Sequence, residues 1–339
     1  MAVWFIYFIF FLGSGNGFIG LLTILVFGVF YLLLRYPNRK IKFGIILVFL
    51  VYSSYIIYLS IVSYRSHFVL KDDPYNSMPQ SKSKLYYSKP NDQQLENGFL
   101  IWRNIANKQL KEQWEEISDP EFHDNDIKGQ AIRGTLIRYL TSKALTKDSI
   151  GIHSLTDQDI KNIQNGDYHF EQADWNNLHL RIDQFFYQLM SYYYKNNPSG
   201  KPFLQRIFYW KGAVSIISEN PILGVGGDIQ NEFNSYFKSE ANNLGDQYWR
   251  HSHNQYLTYF VVGGLIGFIA FLWAVFYPLW IYRKENIILV LAQLVLLISF
   301  ISEDTLETQP GVTMYVLFLA FGITLLNGKG SNKVDVFDH

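Results

Sequence analysis

Between Phe43 and Tyr64 there is not one charged side chain, and Lys42 and Arg65 close the run at either end. A bilayer's hydrocarbon core is about 30 Å thick and takes roughly 20 helical residues to cross. Backbone amides in hydrocarbon must find partners inside their own segment, so a run of this kind is constrained to be a helix. Comparable uncharged stretches occupy about 254 to 282, 286 to 302 and 309 to 327. From Met1 to Leu34 the chain is also uncharged, but Gly13, Ser14, Gly15, Asn16 and Gly17 interrupt it, giving segments at about 2 to 12 and 18 to 34. The first of these is too short to cross alone and reads as the stub of a longer helix. A signal peptide would place a basic residue ahead of the apolar run and small residues after it, and neither pattern is present. The sequence therefore predicts an all-α, polytopic helical membrane protein with five spanning helices, a stub, and a large, mostly helical loop.

Short basic loops are retained on the cytoplasmic side. Arg35, Arg39, Lys40 and Lys42 form one cluster, Arg283 and Lys284 a second, and Lys329 and Lys333 a third, whereas the loop from Glu303 to Glu307 is acidic. All three basic clusters agree, placing both termini inside and the long loop outside, in the periplasm of a bacterial inner membrane. The predicted organisation is 1–64 as N-terminal membrane helices, 65–252 as a periplasmic loop domain, 253–328 as C-terminal membrane helices and 329–339 as a cytoplasmic tail.

Charged residues make up only 17% of the chain, against about 25% in ordinary soluble proteins, and hydrophobic residues reach 49%. Lys and Arg together number 29, as do Asp and Glu, so no basic excess is available to neutralise nucleic-acid phosphates. The absence of cysteine removes disulfides, thiolate metal sites and thiol nucleophiles, leaving His, carboxylate, Arg, Tyr and hydroxyl groups for any chemistry. Within the polar middle, apolar residues recur at helical spacing over Gln94 to Ile117, Ile132 to Leu145, Trp175 to Tyr194 and Leu204 to Ile217, with Pro198, Pro202 and Pro221 as breaks. Arg133 and Arg138 fall on what reads as a solvated face of the second of these helices, although Arg133 is also a candidate for binding an anion.

Two stretches carry the chemistry. His251-Ser252-His253-Asn254 stands where the long loop returns to the apolar region, and a helix starting there turns free N–H groups and a positive dipole end toward the loop. That field opposes protonation of His253 and keeps it able to accept a proton. A histidine that merely caps the helix is the plainer reading. His251 and His253 lack further ligands at a recognisable spacing for zinc, so no metal is expected. Gly263 and Gly267 form a small-xxx-small pair suited to close approach of another helix. The second stretch runs from Gln205, Arg206 and Trp210 to Asn220-Pro221-Ile222-Leu223-Gly224-Val225-Gly226-Gly227-Asp228, a helix followed by an Asn-Pro stop and a glycine-rich turn. It has neither the Lys-Ser/Thr of a phosphate loop nor the glycine spacing of a dinucleotide fold.

In combination these pieces resemble the O-antigen ligase and O-antigen polymerase superfamily of bacterial membrane glycosyltransferases. The resemblance rests on the helix with Arg206 and Trp210, the N-P-I-L-G-V-G-G-D turn, and His253-Asn254 followed by Gly264-x-x-Gly267. Glu303-Asp304-Thr305-Leu306-Glu307-Thr308-Gln309 looks like a form of the last outer loop seen in Bacteroidetes-type members. What the resemblance implies is an enzyme without metal or cofactor that moves glycan from an undecaprenyl-pyrophosphate carrier to an acceptor, lipid A-core or another glycan, at the periplasmic face of the bilayer. It carries the essential histidine onto His253 and a phosphate-binding arginine onto Arg206, with Arg133 as a second arginine, and it puts Trp210, Asn254 and Gly226 among the substrate contacts. Members of this family usually have about ten to twelve membrane helices, so the chain looks like the later half or two-thirds of one. A polymerase, a non-catalytic membrane-anchored binding protein and a truncated relic are the competing expectations. A transporter is disfavoured because no charge interrupts an apolar run.

Overall fold

The structure is a computed structural model that describes residues 26–31, 33–34, 38–78, 85–89, 92–239, 244–282 and 287–331. The expected stub at 2 to 12, most of the segment at 18 to 34, and Arg35, Arg283, Lys284 and Lys333 lie outside the described residues. The chain divides into two compact units, one formed by 53–196 and the other by 1–52 with 197–339. It is mostly helical, as expected, with one two-stranded sheet among the described residues.

Helix α1, Arg39–Phe68, contains the uncharged run at 43 to 64 and is almost wholly unburied along its apolar window. It is one of two helices long and apolar enough to cross a bilayer among the described residues, the other being Gln255–Ile281. The expected segments at 286 to 302 and 309 to 327 fall in shorter apolar helical stretches, Val290–Ser299 and Gln309–Ala320.

In the unit of residues 53–196, a short helix α2 (Pro74–Ser77) and a hairpin of β1 (Leu95–Glu96) and β2 (Phe99–Leu100) precede five helices: α3 (Asn107–Ile117), α4 (Ile132–Ser142), α5 (Ser149–His153), α6 (Asp157–Gln164) and α7 (Asn177–Lys195). The expectation of one helix from Gln94 to Ile117 is corrected here. Asn97 and Gly98 both take positive φ, 52° and 77°, the requirement for a two-residue hairpin turn, and this divides the apolar series into a hairpin and a shorter helix. The other expected helices form as α4 and α7, within a few residues of the predicted ends. Asn176 caps α7 by accepting from His179 N–H, and Thr156 and Asp159 form a reciprocal capping box on α6. Trp114, Phe122, Leu136, Tyr139 and Ile163 are the centre of a buried core.

Arg138 is not on a solvated face. It is buried, pairs with the Glu96 carboxylate at 2.7 Å, and lies 3.7 Å from the ring centroids of both Tyr168 and Tyr187. Beside it His67 Nε2 is 2.9 Å from Asp183 Oδ1, and Tyr168 donates its hydroxyl to Asp183 Oδ2 at 3.0 Å. The residue turns inward because it has two carboxylates to compensate and two rings to stack on, whereas helical periodicity registers only that it is charged.

The other unit contains α8 (Pro202–Glu219), α9 (Ile229–Ser239), α10 (Gln255–Tyr282), α11 (Ile287–Ser299) and α12 (Gln309–Ser331). α8 begins with Pro202, whose missing N–H costs nothing at a helix start, and buries Leu204, Tyr209, Ala213 and Ile216 at helical spacing. α10 is broken at Gly264, where φ is 57° and ψ is −159°. The Asn220–Gly227 turn is spliced into that break. Val225 and Gly226 donate their N–H groups to the carbonyls of Val261 and Val262 at 2.9 and 3.0 Å, while Leu265 and Ile266 donate to Pro221 and Ile222 at 2.8 and 3.4 Å. Four interrupted helical hydrogen-bonding positions are thus satisfied by chain from elsewhere.

Two glycines make the splice possible. A Cβ on Gly264 would lie 2.3 Å from the Ile222 carbonyl, and one on Gly224 would lie 2.5 Å from Gly264 N. Among the described residues the close approach falls at Gly264 rather than at the expected Gly263 and Gly267, and its partner is a turn. A Cβ on Gly263 would meet nothing within 4 Å among the described residues, and one on Gly267 only Tyr259 O at 3.9 Å.

Candidate active site

The site lies in the unit with α8 and α10, where three segments meet. α8 presents Arg206 and Tyr209 one turn apart. The segment before α10 supplies His251 and His253, and the loop between α11 and α12 supplies Glu303 and Asp304.

Asn254 explains why the histidine segment stops where it does. Its Oδ1 accepts from Leu257 N–H at 3.1 Å, capping α10, and its Nδ2 donates to the Ile301 carbonyl at 2.9 Å. Gln255 N–H donates to Phe300 O, and Gln255 Oε1 accepts from Leu306 N–H. These bonds sew the acidic loop to the start of the helix. His253, just before the cap, is held in the left-handed region at φ 46°, an uncommon conformation for a residue with a side chain.

Asp304 is the hub. It is almost fully buried; Thr258 Oγ1 donates to its Oδ1 at 2.9 Å, and its Oδ2 is left facing His251 Nδ1 at 3.1 Å and His253 Nδ1 at 3.6 Å. The contact to His251 is short but poorly aligned, and hydrogen bonding and charge from Asp304 act on it together. The Asp304 carboxylate raises His251 above the usual histidine range, against the effect of burial. His253 is lowered by burial and then by its neighbour His251, whose ring centroid is 5.1 Å away. One histidine of the pair thus favours the charged form and the other the neutral form. The neutral His253 expected from sequence is supported in direction, with burial rather than the helix dipole as the leading cause.

In front of the pair is a cavity of about 220 Å³ lined by Gln205, Arg206, Tyr209, Arg250, His253 and Glu303 among others. Arg206 Nη2 pairs with Glu303 Oε1 at 2.6 Å, with both side chains partly exposed. Tyr209 donates its hydroxyl to Tyr248 O at 2.6 Å, and its ring lies 5.7 Å from that of His253. Two guanidinium groups, a neutral imidazole and a partly exposed carboxylate face one small space, a set able to hold an anion and remove a proton beside it. Separately, ligand atoms of His251, Asp304 and Glu307 all lie within 4.8 Å of one another, close enough to share a cation.

Of the residues singled out from sequence, Arg206 and His253 line the cavity together. Asn254 acts one step behind, as the cap. Trp210 packs on the cluster around Tyr209 and Phe233, and Gly226 takes part in the splice at Val262 O. Arg133 belongs to the unit of residues 53–196, where its Nε donates to Asn107 Oδ1 at 2.9 Å. Asp304 enters from sequence only as part of the Glu303–Gln309 loop motif, with no role given to it, and Arg250 and Tyr209 are given none either. Asp304 carried a visible signal, an acidic residue in a very short loop between apolar runs, but sequence gives no hint that it folds back on the histidines.

Residues 155–272, about a third of the chain, match the family model described as O-Antigen ligase, which supports the O-antigen ligase and polymerase superfamily. The matched segment holds Arg206, Trp210, Gly226, His253 and Asn254 and excludes Arg133 and Asp304. No curated protein and no solved structure matches the chain.

Proposed function

We propose, on the premise that residues 155–272 are an O-antigen ligase segment, that the chain is a membrane glycosyltransferase of ligase type acting at the periplasmic face of a bacterial inner membrane. Its donor is a glycan on an undecaprenyl-pyrophosphate carrier and its acceptor a hydroxyl of lipid A-core. The observation that carries the reading is the single cavity where Arg206 and Arg250 flank a neutral His253.

In this reading the acceptor oxygen attacks the anomeric carbon, the bond from that carbon to the pyrophosphate oxygen breaks, and both bonding electrons leave with the pyrophosphate. Arg206 and Arg250 stabilise the departing charge, since a guanidinium is always protonated and forks onto phosphate oxygens. Glu303 holds Arg206 in place until the donor arrives. His253 takes the acceptor's proton; with Nδ1 turned toward Asp304, Nε2 is the nitrogen left to receive it. Asp304 orients the imidazole and stabilises it once protonated, while burial, reinforced by His251, keeps it neutral beforehand. No step calls for a metal, so transfer persists in a chelator; loss of transfer restored by a divalent cation would instead assign the His251, Asp304 and Glu307 cluster to metal binding.

The test is the lipopolysaccharide gel of a deletion strain carrying the gene or its His253→Ala variant. A ligase predicts loss of all glycan on lipid A-core in the deletion and the variant alike. Retention of single repeats redirects the assignment to a polymerase, and an unchanged ladder removes the enzymatic reading.

A further inference from the structure

The splice into α10 also sets Ile222 and Leu223 at a particular level of the molecule. Ile222 is 62% exposed and Leu223 74% exposed, among the highest values for large apolar side chains outside the long apolar helices. The hydrogen bonds to Leu265 and Ile266 bring their segment to the head of a run of exposed apolar residues on α10: Leu265, Ile266, Ile269 and Trp273. From Leu265 to Tyr282 the helix is roughly 27 Å long at about 1.5 Å per residue, close to the thickness of a hydrocarbon core. The turn thus lies at one edge of the segment of α10 that fits a bilayer.

Its composition agrees with that level. No charge occurs from Asn220 to Gly227, while Glu219 and Asp228 bracket the stretch, and α9 beyond it carries Glu232 and Lys238. A two-residue apolar tip between charged shoulders suits shallow insertion. Irregular backbone is tolerated at membrane depth only where its polar groups are paired with protein, and the four bonds to α10 supply that pairing.

We propose that the Asn220–Gly227 turn is a membrane-seating tip, with Ile222 and Leu223 entering the acyl-chain region of the leaflet on the His253 side. The partner is lipid hydrocarbon, continuous with the lipid around α10. α8 runs from this tip back to Tyr209 and Arg206, so the seating fixes the cavity's height above the acyl chains. The inference rests on the reading of α10 as a membrane span and not on the glycosyl-transfer chemistry.

The chain has no cysteine, so single cysteines can be introduced without further change. Full-length Leu223→Cys, Ile269→Cys and Ser235→Cys proteins would carry an environment-sensitive fluorophore in phosphatidylethanolamine and phosphatidylglycerol vesicles, with quenching by brominated acyl chains compared against aqueous iodide. The expected result is that Leu223 and Ile269 labels are quenched by brominated lipid and the Ser235 label by iodide, with Leu223 favouring bromine near the headgroup end. If Ile269 is reached by brominated lipid but Leu223 by iodide, α10 spans and the tip proposal is overturned. Protection of Leu223 from both quenchers overturns it too, assigning the tip to a protein contact. Iodide quenching at Ile269 removes the span and the tip together, leaving the cavity chemistry untouched.

Discussion

Each of the two units gathers histidine, aspartate, arginine, glutamate and tyrosine, and the two clusters differ in how far they are buried. In the unit of residues 53–196, His67, Asp183, Arg138, Glu96 and Tyr168 are buried, and each charge meets an opposite charge or a ring face within 4 Å. In the other unit, His253, Arg206 and Glu303 are partly exposed, His251 and Asp304 face each other without an aligned hydrogen bond, and a cavity opens beside them. Similar residues therefore serve two ends. The first cluster is compensated within the protein, whereas the second keeps partly exposed charged groups on a cavity and so retains capacity for a ligand.

The largest expected effect breaks the buried cluster. Arg138→Met leaves the Glu96 carboxylate buried without a counter-charge, which typically costs about 3–5 kcal/mol. Unfolding of the purified protein in detergent should shift accordingly and membrane abundance should fall. Adding Glu96→Leu should recover part of the loss, because both charges are then gone. Arg206→Met, by contrast, removes an exposed pair worth about 0–1 kcal/mol and should leave unfolding unchanged. Equal destabilisation by the two arginine variants would erase the distinction between the clusters.

Next in size is the chemistry. His253→Ala should slow transfer by about 10²- to 10⁴-fold, the usual worth of a general base, with abundance unaltered. Transfer by single-turnover assay with lipid-linked donor is the measurement, and a normal rate would remove His253 from the reaction.

A smaller effect separates charge from geometry at Arg206. Lysine retains the charge without the planar fork, so Arg206→Lys should keep partial donor binding where Arg206→Ala keeps little. Titration of the lipid-linked donor against purified variants reads this directly, and wild-type donor dependence in both would make Arg206 only a surface partner of Glu303.

Helices were legible wherever a long apolar period ran without a turn signal, as in α4, α7 and α8. The hairpin at Asn97-Gly98 departs from the expected helix because the dipeptide favours φ > 0 twice, which overrides apolar residues at helical spacing. In the site, Arg206 and His253 were readable because each belongs to a local motif. Asp304 reaches its partners over about fifty residues of chain, and Arg250 takes its place through the loop's course; neither leaves a periodic trace. Arg138 shows the same limit in the core, since burial of an arginine is decided by partners distant in sequence.

The smallest expected effect concerns the proton balance between the two histidines. His253 is lowered from its ordinary value by burial and by His251, and His251 is itself raised by Asp304. A general base works only when unprotonated, so the wild-type rate should hold through neutrality and fall only as the pH drops through a value below the ordinary histidine pKa of about 6.5. His251→Gln deletes a charge that opposes protonation of His253 while keeping a side chain able to donate to Asp304. The His253 pKa should then rise, moving the acid limb of the profile to higher pH and leaving the rate on the alkaline plateau unchanged. The rate of glycan transfer against pH for both proteins decides the matter. An acid limb that stays put would mean that His251 carries no charge in the working enzyme, and one that moves to lower pH would mean that the proton is accepted by a group other than His253.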